Sequence, residues 1–349
     1  MIAVDAMGGD FAPTVTIQGA YNAARKGIRI ALYGQEVIMV DILNKIDLQW
    51  HTLSIELIDC PDVVEMADEP TRSVLKKNSS LMRALQAVKH QQAQAVVTAG
   101  NSGAAVVGSI LVFERVKGIT RPALGTFLPT KKGSLFVIDI GANVDCKPEY
   151  LQQFACMGHL FVQQHKGIKN PRIGLLSNGQ ERGKGSYATK QAYYLLEQSS
   201  LNFVGNIESR EVFNDATDVL VCDGFVGNIL LKAVQGTSTA LTEWIKESFN
   251  QSFFGRVVGG LSKPFFKKLK NSVDYQQTGG ALLLGVNYPL IIAHGCSNAM
   301  AFENAIIFAH KVVNQQMIQQ FNDGLTKLLD RELAIKKSLT VAPHDMVLC

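Results

Sequence analysis

The sequence lacks several features that would assign it to a common class of protein. Its 349 residues carry a net charge of only +4, which is too small to predict nucleic-acid binding. No apolar run is long enough to cross a bilayer, because glycine, asparagine or proline interrupts the longer ones. The six cysteines are scattered without a C-x-x-C pair, and the chain opens on a strand-like pattern instead of a signal peptide. We therefore expect a cytoplasmic protein with free thiols.

Several motifs of catalysis and nucleotide binding are also missing. There is no G-x-S-x-G nucleophile elbow, and no G-x-G-x-x-G follows a predicted strand. The loop at 179–186 resembles a P-loop, but only three residues separate its first two glycines and Gly185 follows Lys184 where Ser or Thr is required. ATP hydrolysis is therefore not expected, although a lysine between Gly183 and Gly185 can still approach an anion, the alternative being a flexible surface loop.

What the sequence does contain is a recurring unit, in which a short apolar run ends at a turn rich in glycine and asparagine and a helical pattern follows. The unit occurs within residues 2–10, 95–103, 135–145, 172–186 and 219–228. A helix N-terminus carries about half a positive charge and about four unpaired N–H donors. Five such turns predict a site that holds anions, most simply phosphate.

The pattern predicts an α/β fold with a largely parallel sheet built from right-handed strand-turn-helix units, and 47% hydrophobic residues are ample for its core. Strands are predicted at 2–5, 28–33, 53–58, 95–98, 135–140, 173–177 and 219–222, with a hairpin of 281–284 and 290–293. Helices are predicted at 12–26, 35–46, 79–90, 103–116, 148–165, 186–198, 228–246 and 297–316. Residues 61–78 are expected to be irregular, and those beyond 337 weakly ordered.

The first two turns supply candidate binding residues, each with a structural alternative. Asp5 and Asp10 flank the pair Gly8 and Gly9, where two carboxylates could hold Mg²⁺, orient a basic residue or simply cap the turn. In the second turn, Asn101, Ser102 and Gly103 precede a helix that is apolar enough to be buried. This turn could hold an anion or a carbonyl oxygen, or Gly103 could only provide close packing against a strand.

The later turns pose the same choice. Asn228, which follows Asp223 and Gly227, could cap a helix through its side-chain oxygen, or its amide could donate to an oxyanion, a task worth about 3–4 kcal/mol in other enzymes. Asn143 and Asp145 raise the same question. His294 is the histidine most plausibly near a site, although a lone histidine is more often structural.

One segment differs from all of these. Residues 249–272 combine basic and aromatic side chains, and no acidic residue occurs between Glu247 and Asp274. Such a segment suits an anionic membrane surface, or it packs as a protrusion on another subunit. Its candidate contact residues are Arg256, Lys263, Phe265, Phe266, Lys267, Lys268 and Lys270.

Several multi-residue motifs stand in one order along the chain. They are D-A-M-G-G-D at 5–10, A-D-E-P at 67–70, K-K-x-S-S at 76–80, A-G-N-S-G-A at 99–104, G-A-N-V-D at 141–145, N-F-V-G-N-I-E at 202–208, V-C-D-G-F-V-G-N at 221–228 and the pairs G-G at 279–280 and H-G at 294–295. Together they resemble the bacterial acyl-acyl carrier protein:phosphate acyltransferases (the PlsX family) over about residues 1–318. The chain departs from the family at Gln180, where an acidic residue is usual.

The resemblance implies a reaction in which a long-chain acyl group passes from acyl carrier protein to inorganic phosphate. The acyl phosphate would then feed a membrane glycerol-3-phosphate acyltransferase in phospholipid synthesis. It also implies an isopropylmalate dehydrogenase- or phosphotransacetylase-like fold with two tightly packed lobes in one domain of residues 1–335, a variable tail at 336–349, a homodimer and reversible peripheral membrane association. No cofactor or metal ion and no nucleic acid is expected.

Phosphate is itself the nucleophile in this reaction, which explains why no serine, cysteine or histidine nucleophile is evident. Lys184 and the glycine turns are predicted to hold phosphate, and Asn228 to stabilise the tetrahedral oxyanion. The basic segment is also predicted as a docking surface for the carrier protein, which is acidic in general. Two rivals remain, a decarboxylating dehydrogenase of the same fold and a sensor that binds acyl phosphate without turnover.

Overall fold

The computed structural model describes residues 1–250 and 279–341, and within them eleven strands form one mixed sheet. The strands are β1 (Ile2–Asp5), β2 (Ile30–Gly34), β3 (Ile55–Asp59), β4 (Ala95–Thr98), β5 (Ala123–Pro129), β6 (Ser134–Ile138), β7 (Ile173–Ser177), β8 (Phe203–Glu208), β9 (Val219–Val221), β10 (Ala281–Leu284) and β11 (Leu290–Ile292). Their order across the sheet is β3-β2-β1-β4-β11-β10-β5-β6-β9-β7-β8.

The sheet contains two parallel groups that run in opposite directions. Strands β3, β2, β1, β4 and β11 are parallel to one another, and so are β6, β9, β7 and β8. Between the groups, β10 is antiparallel to both β11 and β5, and β5 is antiparallel to β6. The largely parallel α/β sheet is therefore confirmed, and so is the hairpin of β10 and β11.

Helices cover both faces of the sheet, which explains why the strands are apolar on both sides. In β1, Ile2 and Val4 belong to one hydrophobic core while Ala3 belongs to the other, as the two-residue period of a strand requires. The helices are α1 (Thr14–Arg25), α2 (Glu36–Ile46), α3 (Pro70–Ser73), α4 (Ser80–Lys89), α5 (Ser102–Phe113), α6 (Pro148–Lys166), α7 (Tyr187–Glu197), α8 (Gly224–Asn250), α9 (Ala299–Asn314) and α10 (Met317–Val341).

Short polar side chains fix several helix starts. Ser79, Asn101, Ser186 and Asn298 each accept a hydrogen bond from the backbone N–H three residues further on, at the starts of α4, α5, α7 and α9. These four positions agree with the predicted helix boundaries to within two residues. No helix in the two described ranges is long and apolar enough to cross a lipid bilayer.

The structure corrects four predictions of local structure. Residues 224–227 are the first turn of α8 and not a loop before it. Strands β5 and β8 are absent from the prediction, since a glycine interrupts each apolar pattern. Within the segment expected to be irregular, residues 70–73 form α3. Residues 338–341 are the end of α10, and the rest of the tail that is predicted to be weakly ordered, 342–349, lies outside the described residues. Nearly all of the predicted protrusion, including every candidate contact residue, lies outside the described residues.

Candidate functional site

A cavity of about 380 Å³ lies where the turns after β1 and β4 meet the ends of β6 and β11 and one face of α8. Its wall has a polar part, which is formed by Asp10, Ser102, Asn228, Lys232 and His294. The apolar part is formed by Leu124, Phe127, Ile140, Leu231 and Ile292. The same cavity thus offers a polar environment for a charged group and an apolar environment for a hydrocarbon chain.

The wall contributed by α8 is one face of the helix. Asn228, Leu231, Lys232 and Gln235 all line the cavity, and their spacing of three, four and seven residues places them on the same side of an α-helix. The start of α8 therefore determines which side chains reach the cavity, because one residue of shift rotates the face by about 100°.

His294 also lines the cavity, just after β11. Burial, and then the charge of Lys232, lower its pKa, whereas the charge of Asp10 raises it. Its Nδ1 lies 3.0 Å from the Sγ of Cys296 and 3.4 Å from the backbone N of the same residue. The backbone N–H of Asp10 donates to the carbonyl of Gly295 at 2.9 Å, so the turn after β1 is tied to the turn that carries His294.

The turn after β6 is organised around the buried carboxylate of Asp139. Its Oδ1 accepts from the backbone N–H groups of Leu124, Gly141 and Ala142 at 3.0–3.1 Å. Its Oδ2 accepts from the backbone N–H and the side-chain amide of Asn143 at 2.7 and 2.8 Å. The donors that the sequence predicts to be available for an anion are thus already occupied by a carboxylate of the protein.

The turns after β1 and β4 are held in a similar way. The buried carboxylate of Asp5 accepts from the hydroxyl of Thr98 at 2.7 Å, and that hydroxyl accepts from the backbone N–H of Gly100 at 3.0 Å. A Cβ on Gly8 would lie only 2.8 Å from the Cα of Gly100, so the two turns pack backbone against backbone. Glycine at position 8 is therefore explained by packing.

Asn101 uses its whole side chain within the protein. Its Oδ1 accepts from the backbone N–H of Ala104 at 3.0 Å, and its Nδ2 donates to the carbonyl of Asp68 at 2.8 Å. Gly103 does allow close packing, but against the ring of Pro70 in α3 and not against a strand.

The first turn of α8 also has its donors paired. The backbone N–H of Gly224 donates to the carbonyl of Asn143 at 2.7 Å, and that of Val226 donates to the Oδ1 of Asp223 at 2.8 Å. Asp223 is the capping residue, so the alternative that Asn228 caps this helix is wrong. Asn228 lies in the second turn and is free to present its amide to the cavity.

The structure brings together only part of the predicted site. Ser102, Asn228 and His294 line the cavity. Lys184 is exposed, in the loop between β7 and α7, and it is not part of the cavity wall. The remaining predicted binding residues also lie outside that wall: Asp5, Gly8, Gly9, Asn101, Gly103, Asn143, Asp145, Gly183, Gly185, Asp223 and Gly227.

Sequence reasoning missed Lys232 and the apolar wall. Lys232 follows Asn228 by four residues in a helical pattern, and that spacing is the signal that could have found it. In the two ranges that the structure describes, no group of three or more His, Cys, Asp or Glu residues could hold a metal ion. All five cysteines of these ranges are free thiols.

Solved structures with the same arrangement of strands and helices define the class of fold. A phosphotransacetylase from Streptococcus pyogenes aligns with a TM-score of 0.57 and 17% identity, covering 90% of this chain and 94% of its own. A branched-chain phosphotransacylase from Enterococcus faecalis V583 gives a TM-score of 0.53 and 13% identity, with coverages of 89% and 98%. The chain therefore has a phosphotransacetylase-like α/β fold.

Sequence comparison identifies the family. A family model described as "Fatty acid synthesis protein" matches residues 1–320. A phosphate acyltransferase from Dictyoglomus thermophilum is 41% identical over 334 residues, covering 95% of this chain and 99% of the relative. Another from Geotalea daltonii is 44% identical over 329 residues, with coverages of 93% and 94%. The chain belongs to this family of phosphate acyltransferases, and it is an acyltransferase.

Proposed function

We propose that this protein transfers a long-chain acyl group from the thioester of acyl carrier protein to inorganic phosphate, and that the acyl phosphate serves phospholipid synthesis. The observation that carries this proposal is the cavity, whose wall combines an amide and a cation with an apolar surface. A phosphate ion needs the first part, and the methylenes next to the thioester carbonyl fit the second, at about 0.8 kcal/mol per buried methylene.

The chemistry requires only positioning and oxyanion stabilisation. A phosphate oxygen attacks the carbonyl carbon, the C–S bond breaks, and the proton of hydrogen phosphate is transferred to the departing thiolate. The amide of Asn228 donates to the oxyanion of the tetrahedral intermediate, because it projects from a fixed helix into the cavity. No cofactor is needed for this reaction.

The other residues have supporting roles in this proposal. Asp5, Asp139 and Asp223 hold the turns that shape the cavity, and Ser102 and His294 offer polar contacts to phosphate. The sequence-based role of Lys184 requires its loop to reach the substrate from outside the cavity wall. We therefore compare Lys184 directly with the cavity lysine in an experiment given below.

The interactions of the whole protein are proposed from its sequence. The basic and aromatic segment at 249–272 binds the acidic carrier protein and anionic lipid, at about 1 kcal/mol per cation near the surface. The protein is cytoplasmic, associates reversibly with the membrane as a homodimer, and supplies a membrane glycerol-3-phosphate acyltransferase. The acyltransferase domain comprises residues 1–335, in two lobes around the cleft.

The reaction is tested by following thiol release from palmitoyl-acyl carrier protein, with and without inorganic phosphate, while hydroxylamine traps the product. We expect phosphate-dependent thiol release together with a trappable acyl phosphate. Thiol release without phosphate dependence, or none at all, would overturn the proposal and favour a dehydrogenase or a sensor, which binding of nicotinamide cofactor or of acyl phosphate would then distinguish.

The role of Asn228 is tested in the same assay. Asn228→Ala removes one donor to the oxyanion, and such losses lower kcat about 100- to 1,000-fold in other enzymes. The substrate KM values should change little, since the donor acts mainly in the transition state. A kcat within threefold of wild type, in a variant whose circular dichroism is unchanged, would contradict the assignment.

A further inference from the structure

The cavity wall, as far as the structure describes it, has few charged side chains. Among the described residues that line it, Lys232 is the only lysine or arginine, and Asp10 is the only carboxylate. Phosphate near neutral pH carries between one and two negative charges, so a site that binds it needs compensating positive charge or a set of unpaired N–H donors.

Most of the backbone donors near the cavity are already used within the protein. The N–H groups of the turn after β6 donate to Asp139, and those of the first turn of α8 donate to Asn143 and Asp223. In the turn after β4, Gly100 donates to Thr98 and Ala104 donates to Asn101, which leaves the N–H groups of Ser102 and Gly103 at the start of α5. A helix start supplies only about half a positive charge, so the remaining charge that offsets a bound phosphate comes from a side chain.

Lys232 is placed and available for this purpose. It lies one helical turn after Asn228 on the cavity face of α8, so a ligand that accepts from one can be reached by the other. Within residues 1–250 and 279–341, no carboxylate forms an ion pair with it, whereas Lys26, Lys45, Lys76 and Lys89 are each paired. Its charge also lowers the pKa of His294, which lines the same cavity.

We propose that Lys232 binds the phosphate co-substrate and holds it beside Asn228, which presents its amide to the reacting carbonyl. The inference rests on the proposed function. It names the residue that selects an anionic acceptor at this site, and it assigns phosphate to the polar part of the cavity wall, which includes Asn228 and His294.

The kinetic test compares two lysines that both lack an ion pair in the described structure. Lys232→Met removes a charge-assisted hydrogen bond while keeping the length of the side chain, and should raise the KM for phosphate about 10- to 100-fold. The KM for the acyl thioester should stay within twofold, and Lys232→Arg should restore most of the affinity for phosphate. Lys190→Met, at an exposed position in α7, is the matched control, for which both constants should stay within twofold of wild type, and Lys184→Met is measured beside it.

A second readout does not depend on turnover. The imidazole signals of His294, assigned with His294→Gln, are titrated by NMR with and without inorganic phosphate. In the wild-type protein, bound phosphate should raise the pKa of His294, because the anion offsets the neighbouring cation. In Lys232→Met, the pKa should be raised already without phosphate, and added phosphate should shift it much less.

The outcomes separate the two proposals. A phosphate KM within twofold of wild type for Lys232→Met, together with an unchanged response of His294 to phosphate, would overturn the role of Lys232. If Lys184→Met shows the larger loss of phosphate affinity, the binding cation is Lys184 instead. If wild-type protein shows no phosphate-dependent thiol release but the NMR shifts occur as expected, the proposed reaction fails while the anion site stands.

Discussion

At the scale of single residues, buried carboxylates organise this site without reaching the substrate. Asp139 gathers five N–H donors from four residues, and Asp5 holds the hydroxyl that anchors the turn after β4. A sequence pattern that suggests an unoccupied anion site therefore corresponds here to N–H donors that already bond to a carboxylate of the protein. An acidic residue at the end of a buried strand, just before a glycine turn, is the warning sign of this arrangement.

A pH dependence of stability follows from His165. Its ring stacks on Phe127 and Phe161, and burial, followed by the charges of Lys311 and Lys166, lowers its pKa to about 4. The unfolded chain binds this proton near pH 6.5, so stability is complete above that pH and is lost as the pH falls towards about 4.

The free energy of unfolding of the wild-type protein should fall between pH 7.5 and pH 5 as the unfolded chain binds this proton. In His165→Leu we expect that fall to be smaller by about 1 kcal/mol, after allowance for solvent screening of the partly exposed ring. Urea unfolding at the two pH values measures this. His90→Gln, at an exposed position on the protein surface, is the control and should leave the pH dependence unchanged. If the pH dependence of His165→Leu equals that of wild type, the pKa of His165 is not lowered in the folded state.

At the scale of elements, α8 is positioned by a glycine. A Cβ on Gly227 would overlap the carbonyl oxygen of Asp139 and lie 2.9 Å from the Sγ of Cys222. The helix thus packs directly against the backbone beneath the turn after β6, and that contact sets the direction in which Asn228 and Lys232 project. Gly236, two and a half turns further along the same helix, has nothing within 4 Å of its Cβ position.

The two glycines give a matched pair of substitutions. Gly227→Ala should lower the free energy of unfolding by about 1–3 kcal/mol through overpacking, and should lower kcat as α8 shifts. Gly236→Ala should raise the free energy of unfolding by about 0.5–1 kcal/mol, because alanine is the better helix former, and should leave the activity unchanged. Chemical denaturation and the thiol-release assay measure both effects, and equal stability of the two variants would refute the packing argument.

The elements also show what the sequence could predict. Strands β4 and β7 and the capped starts of α4, α5 and α7 follow from apolar runs and short polar caps, which are local signals. The start of α8 at Gly224 cannot be predicted from local signals. The glycines at 224 and 227 indicate a turn, and only the backbone that they pack against explains why they lie in a helix. Which side chains of α8 line the cavity depends on the face that the helix turns towards it, and tertiary packing determines that face.

At the scale of the whole molecule, both hydrophobic cores extend across the sheet. The core that contains Ile2 and Val4 also contains Phe161 and Val219, and the core that contains Ala3 also contains Val137 and Leu220. Strands from the two parallel groups of the sheet therefore share their stabilising contacts. Such continuity favours all-or-none unfolding over the independent melting of two lobes.

Cooperativity can be measured with the tryptophans. In Trp244→Phe, Trp50 is the only remaining tryptophan of the chain and reports on the edge of the sheet near β3. We expect its fluorescence and the far-ultraviolet circular dichroism to change at the same urea concentration. Two separate transitions would instead show that the halves of the sheet unfold independently, as two weakly coupled lobes.

The central position of β10 and β11 has a consequence for synthesis on the ribosome. These strands come from residues 281–292, yet they fill the gap between β4 and β5, which are complete by residue 129. A growing chain therefore carries two apolar strands with open hydrogen-bonding edges while more than 150 further residues are added. Because the gap closes so late, we expect the nascent protein to be open to edge-to-edge aggregation until its last strands emerge.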